Sequence, residues 1–135
     1  MRKINKIIVH CSATKEGQDI SAATIDQWHK KRGWRGIGYH YVVSLNGNIE
    51  YGRGVEEVGA HVRLHNRHSI GICYIGGLDK DLNPKDTRTR EQKEGLLDLL
   101  KTLKRLHPEA QIHGHNEFSS KACPCFDANE EYCNI

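Results

Sequence analysis

Histidine and cysteine are the residues in this sequence best suited to chemistry. His10 follows the apolar run Ile7-Ile8-Val9, His113 and His115 flank Gly114, and Cys123 and Cys125 flank Pro124. Zinc takes imidazole nitrogen and thiolate sulfur, and a catalytic zinc site keeps three protein ligands and one open position. A histidine from one strand end, a second from another and a cysteine from a nearby loop would supply that set. His10 is remote in sequence from the rest, so only the fold can bring it to them. Spacing alone leaves open which of His113 and His115, and which of Cys123 and Cys125, would take part. The plainer alternative is a strand-capping His10, a surface His113 and buried thiols.

Several other chemistries are excluded by pattern. There is no H-E-x-x-H helix, no phosphate-binding G-x-x-x-x-G-K and no G-x-S-x-G elbow. His115-Asn116-Glu117 followed by Pro124-Cys125 starts like a zinc deaminase signature, but Ala128 stands where its second cysteine is needed. His61, His65 and His68 have ligand-like spacing without the cysteine pair of a zinc finger.

The elements that must position these residues read as a strand-helix alternation. Residues 4–10 read as a short strand, buried on both faces at Ile7 to Val9. Residues 21–32 read as a helix capped by Ser21 and ended by Gly33, with Ile25, Trp28 and His29 sharing one face. Residues 40–45 and 48–51 flank Asn46-Gly47, a signal for a hairpin with a type I′ turn. Residues 69–75 read as another apolar strand, closed by Gly76-Gly77. Residues 78–88 read as a loop. Thr89 and Gln92 form a capping-box pattern for a helix to about Leu106, with Leu96, Leu99, Leu100, Leu103 and Leu106 on one stripe. Residues 111–115 read as a strand carrying His113 and His115 on one face, and 116–135 as loop with a final helical turn. The predicted fold is α/β: one domain over residues 1–135, a central mixed β-sheet flanked by helices.

Composition sets the outer bounds. The 135 residues favour a single domain, and 37% apolar residues suffice for one modest core. The net charge of +3, with both signs spread along the chain, excludes a strongly cationic nucleic-acid coat. No apolar run approaches the roughly 20 residues of a membrane span. Met1 to Lys6 is basic, but Ile7-Ile8-Val9 falls short of the about 7–15 apolar residues of a signal peptide. The expectation is a chain made in the cytoplasm. Five cysteines cannot pair completely, and with nine histidines they point to metal or catalysis before disulfides.

An ordered set of motifs adds a resemblance. Ile8-Val9-His10-Cys11-Ser12-Ala13-Thr14, Trp28-His29-Lys30, Gly33-Trp34, Gly38-Tyr39-His40-Tyr41, Gly59-Ala60-His61, Asn66, Ser69-Ile70-Gly71-Ile72-Cys73, Gly76-Gly77, His115-Asn116-Glu117 and Lys121-Ala122-Cys123-Pro124 occur in this order. The sequence thereby resembles the zinc amidases related to peptidoglycan recognition proteins, and among them the amidase-type lysozymes of the T-odd coliphages. The resemblance runs from about residue 4 to residue 127.

The resemblance implies a zinc-dependent N-acetylmuramoyl-L-alanine amidase of the phage endolysin type, cutting between muramic acid and the first alanine of the stem peptide. It implies one zinc ion on His10, His115 and Cys123, with Tyr39 and Lys121 as catalytic residues. A cation or phenol aimed at a developing oxyanion suits those two side chains. His61, Trp34 and Asn66 match positions on the substrate side, with a core or loop-shaping role as the alternative for each. Trp28 is expected in the core, and Glu117 is expected to orient a ligand histidine or hold its loop. Cys125 departs from the family pattern, which has a small or hydroxyl residue there; it and Cys11 are expected to point away from the metal. Peptidoglycan is the implied partner, acting as a monomer is expected, and the cell wall is the implied place of action after release. Two rival readings follow from the same resemblance. One is a non-hydrolysing peptidoglycan-binding module, which Cys123 argues against, since such relatives lack the cysteine. The other is an amidase that also regulates a phage RNA polymerase, for which no surface is identifiable.

Overall fold

The computed structural model describes residues 2–135. β1 (Lys6–Cys11) is an interior strand of its main sheet and carries the first candidate histidine, His10, one residue before its end. β1 runs parallel to β5 (Ser69–Tyr74) on one side and to β7 (Gln111–Gly114) on the other. β3 (Tyr41–Val43) lies parallel to β5 and carries β4 (Ile49–Tyr51) antiparallel at the sheet edge. The strand order is β4-β3-β5-β1-β7, a mixed sheet as the sequence predicts. β5 is buried at every position, which is why its sequence runs apolar without alternation.

Helices cover both faces. α1 (Ala22–Lys31) packs Ala22 and Ile25 with Ile20 against Val42, Cys73 and Ile75. α2 (Arg90–Leu106) and α3 (Ala128–Tyr132) cover the opposite face, where Leu96, Leu100, Leu103 and Tyr132 join Ile7, Val9, Ile70, Ile72 and Tyr74. Successive side chains of a strand point to opposite faces, so Ile7 and Val9 face α2 while His10 faces the α1 side. Among the described residues, no helix is long and apolar enough to cross a membrane.

The helix starts follow the sequence closely. Ser21 Oγ accepts from Thr24 N at 3.2 Å. Thr89 and Gln92 form the capping box, with Gln92 N donating to Thr89 Oγ1 at 3.0 Å and Thr89 N to Gln92 Oε1 at 2.9 Å. Gln92 is also fully buried, because its Nε2 donates to the carbonyls of Ile75 (2.9 Å) and Val43 (3.3 Å) at the ends of β5 and β3.

Four sequence expectations need correction. Leu106 is 68% exposed, beyond the last turn that meets the sheet, and Trp28 is 38% exposed rather than in the core. The Asn46-Gly47 hairpin forms, but only Gly47 takes a positive φ (+85°), and Gly47 N donates to Ser44 O at 2.9 Å. Asn46 instead accepts from Asn48 N through Oδ1 at 3.0 Å, a side-chain bond that does not need a left-handed Asn backbone. His115 does not lie on β7 beside His113; it opens a short 3-10 turn, His115–Glu117. A small second sheet, β2 (Thr14–Lys15) with β6 (Gly77–Leu78), is also new, since two-residue strands leave no periodic pattern.

The C-terminal segment is fastened by Arg88. Its side chain is 1% exposed and bridges Asp86 and Glu131, each at 2.9 Å. Nη1 donates to Tyr132 Oη at 2.6 Å, and the guanidinium stacks on Phe126 at 3.4 Å. This ties α3 and the chain just after Cys125 to the loop before α2. Removing one partner of a buried pair costs about 3–5 kcal/mol. The two carboxylates here keep some water, so Arg88→Ala should lose about 2–3 kcal/mol in urea denaturation of the metal-free protein. A loss under about 0.5 kcal/mol, the scale of an ordinary surface change, would show that the network does not hold this segment.

Candidate metal centre

Two adjacent parallel strands, the interior β1 and the edge strand β7, deliver the histidines. β1 and β7 pair with Val9 opposite Gly114, so His10 and His115 leave neighbouring strand ends together. Their rings lie 4.7 Å apart. Cys123 reaches the same place from the following loop and is fixed to β1 by Cys11 N, which donates to its Sγ at 3.1 Å. One ligand-capable atom from each of His10, His115 and Cys123 lies within 4.8 Å of the others; among the described residues no other histidine, cysteine and carboxylate group does this.

The competing donors are occupied elsewhere. His113 Nδ1 pairs with Glu117 Oε1 at 2.8 Å, and Glu117 Oε2 accepts from Gly114 N at 2.7 Å. Glu117 therefore holds the turn that presents His115. Cys125 Sγ donates to Gly77 O at 3.2 Å and touches Cys11 Sγ at 4.0 Å, and burial raises its thiol to about 12. It sits on the Cys11 side rather than among the three donors.

The surroundings keep the imidazoles neutral. Burial, then neighbouring His61, His115 and Lys121, hold His10 well below its usual value. Burial and then Lys121 also lower His115. The Lys121 ammonium is thus close enough to act on both histidines, although Lys121 is exposed. The Tyr39 ring lies tilted against His10 with centroids 5.0 Å apart, and burial raises its hydroxyl so that the resting form is a phenol. Neutral imidazoles and a thiol that a metal can deprotonate form a donor set suited to zinc.

Other histidines shape the frame around these residues. His29 Nδ1 accepts from Gly38 N at 2.9 Å, fixing the segment before Tyr39. His40 Nδ1 accepts from Gly71 N at 3.0 Å while its Nε2 donates to Glu57 O at 2.8 Å. His61 meets His10 directly, Nδ1 to Nε2 at 2.9 Å. Asn66 Oδ1 accepts from the backbone N–H groups of His61 and Val62, each at 2.9 Å, and so shapes the loop carrying His61. Trp34 is 36% exposed and packs 4.6 Å from His29, which is 5.6 Å from Tyr39. Arg88 and Gln92 have no sequence signal for their buried polar roles beyond the capping box.

Acid should unfold the metal-free protein through these histidines. Burial drives His61 down to about 3 and lowers His10 and His115. Their folded values lie below the unfolded value of about 6.5, so the unfolded chain binds more protons at acid pH. Their stabilising contribution is complete above about pH 6.5 and lost as pH falls from there toward about 3. The melting temperature of metal-free protein should fall steadily between pH 7 and pH 4; a flat profile would contradict neutral burial.

Comparisons with known proteins identify the family. The N-acetylmuramoyl-L-alanine amidase family (Amidase_2) matches residues 1–126. The chain belongs to this family. The endolysin of Escherichia phage T7 is 41% identical to this amidase over 121 residues, 90% of this chain and 80% of the relative. The endolysin of Klebsiella phage KP32 is 40% identical over 126 residues, 93% of this chain and 83% of the relative. Among solved structures, the N-acetylmuramoyl-L-alanine amidase LysC from Clostridium intestinale URNW superposes on the amidase with a TM-score of 0.81 at 26% identity, covering 96% of this chain and 82% of that one.

Proposed function

We propose that this amidase hydrolyses the bond between N-acetylmuramic acid and L-alanine in peptidoglycan with one zinc ion held by His10, His115 and Cys123. The observation that carries the reading is the convergence of those three donors, within 4.8 Å, at the ends of two adjacent parallel strands. Zinc in such a set supplies Lewis acidity and lowers the pKa of water. Two neutral imidazoles and one thiolate leave the centre one unit positive, which favours that role.

The protein's own groups handle the charge and the proton. Attack on the amide carbonyl builds a tetrahedral oxyanion. The Lys121 ammonium, close enough to depress both histidines, stabilises that charge. Tyr39, a phenol in the resting site, shares this donation or passes its proton toward the departing alanine nitrogen and regains one from water afterwards. Trp34 offers an exposed ring to the substrate beside the His29–Tyr39 aromatic pair. Asn66 acts from behind, through the loop it shapes. The substrate sets the cell wall as the place of action.

Chelation tests the reading. Removing metal with dipicolinate should abolish clearing of purified peptidoglycan, and one equivalent of zinc should restore it. Full activity in metal-free protein would defeat the proposal.

A further inference from the structure

A metal-binding histidine commits one ring nitrogen to the ion, and the group bonded to the other nitrogen sets its tautomer and ring angle. That partner is usually a carboxylate, a backbone carbonyl or water. His10 has another histidine instead. His10 Nε2 lies 2.9 Å from His61 Nδ1, and His61 Nε2 lies 3.2 Å from Ser69 Oγ. The two imidazoles meet edge to face at 88°, with centroids 4.9 Å apart.

Only one of two facing ring nitrogens can carry the hydrogen between them. A neutral His10 that offers Nδ1 to a metal carries its hydrogen on Nε2 and donates it to His61 Nδ1. His61 then carries its own hydrogen on Nε2 and donates it to Ser69 Oγ. The string is consistent from end to end, and Ser69 is fully buried in β5.

The protein also builds a slot for the His61 ring. A Cβ on Gly71 would stand 2.6–2.8 Å from its Cδ2, Cγ and Nδ1 atoms, and one on Gly59 would stand 2.7 Å from Cδ2. Both positions are therefore closed to any side chain while the ring stays in place. Asn66 Oδ1 clamps the backbone on either side of the peptide that follows His61. Slot, clamp and serine together fix an acceptor against His10.

We propose that His61 is a positioning residue for the metal centre, accepting the Nε2 hydrogen of His10 so that Nδ1 of His10 is held toward the ion, with Ser69 anchoring the far side of the His61 ring. This rests on the zinc reading above and assigns His61 to the metal rather than to the substrate.

The test uses three variants of the full chain. His61→Phe fills the slot with a ring but has no acceptor. His61→Asn places Oδ1 near the position of Nδ1. Ser69→Ala cuts the second link. Zinc affinity is measured by competition with a chromophoric chelator on metal-free protein, alongside the visible spectrum of the cobalt-substituted protein and the metal-free melting temperature. His61→Phe should bind zinc about 10–100-fold more weakly and alter the cobalt spectrum. His61→Asn should recover most of the affinity, and Ser69→Ala should lose less than tenfold.

Each other result has a definite meaning. Wild-type zinc affinity in His61→Phe, with only a lower metal-free melting temperature, would reduce His61 to a structural part and overturn the proposal. Unchanged zinc affinity and cobalt spectrum with a raised KM would make it a substrate contact, which also overturns it. Should His61→Phe fail to fold, the decision falls to Ser69→Ala: wild-type affinity there overturns the proposal, a measurable loss supports it. A wild-type protein that binds no zinc would defeat the parent reading instead, so the two failures are distinguishable.

Discussion

Cys123→Ser should lose both bound zinc and amidase turnover while the fold survives. A serine hydroxyl stays protonated at neutral pH, whereas a metal deprotonates a coordinating thiol outright. Exchanging one for the other removes the only anionic donor of the centre. Turnover should fall at least about 10³-fold, on the scale of losing essential catalytic groups. Zinc content, measured by atomic emission on gel-filtered protein, should drop to a small fraction of one equivalent. The fold has little reason to change. Cys123 is only half-buried, and a serine oxygen can still accept the Cys11 N–H that Sγ accepts now. The metal-free variant should melt within about 2 °C of metal-free wild type, since surface-scale changes of about 0.5 kcal/mol shift melting by only a few degrees. A Cys123→Ser protein that keeps its zinc and its turnover would remove Cys123 from the centre.

Lys121→Ala should separate catalysis from metal binding. Lys121 is exposed, takes no part in the donor set and yet lies close enough to lower both His10 and His115. A cation in that position is worth most when negative charge develops on the carbonyl oxygen. Removing one such donor typically lowers kcat about 10²–10³-fold. Zinc affinity should not weaken, because losing a nearby positive charge favours a bound cation. KM should change little, since the interaction strengthens only in the transition state. Tyr39→Phe should follow the same pattern with a smaller loss. Equal kcat in Lys121→Ala and wild type would leave Lys121 as a solvated surface charge.

The fold was legible wherever pattern and packing coincide. The apolar runs at 7–9 and 69–75, the Thr89–Gln92 capping box and the leucine stripe each have a periodicity that burial enforces. Trp28 and Leu106 misled because helical spacing marks a face without saying how far the covering sheet extends. The Asn-Gly turn was recognised as a hairpin, but the Asn46 side chain changed its backbone type. At the site, residue types named zinc, yet they could not choose His115 over His113. That choice depends on the 3-10 turn that swings His115 off β7 and on Glu117, which occupies His113. The Arg88–Glu131 and His10–His61 links depend on contacts between distant segments, for which a single sequence carries no local pattern.

The most direct measurement is the mass of products released from purified peptidoglycan by zinc-loaded wild-type protein. The predicted products are stem peptides with a free N-terminal alanine and glycan strands left intact, with neither appearing when the metal-free protein is used. Bound zinc without released peptide, or cleavage within the glycan or the stem, would contradict an amidase built on His10, His115 and Cys123.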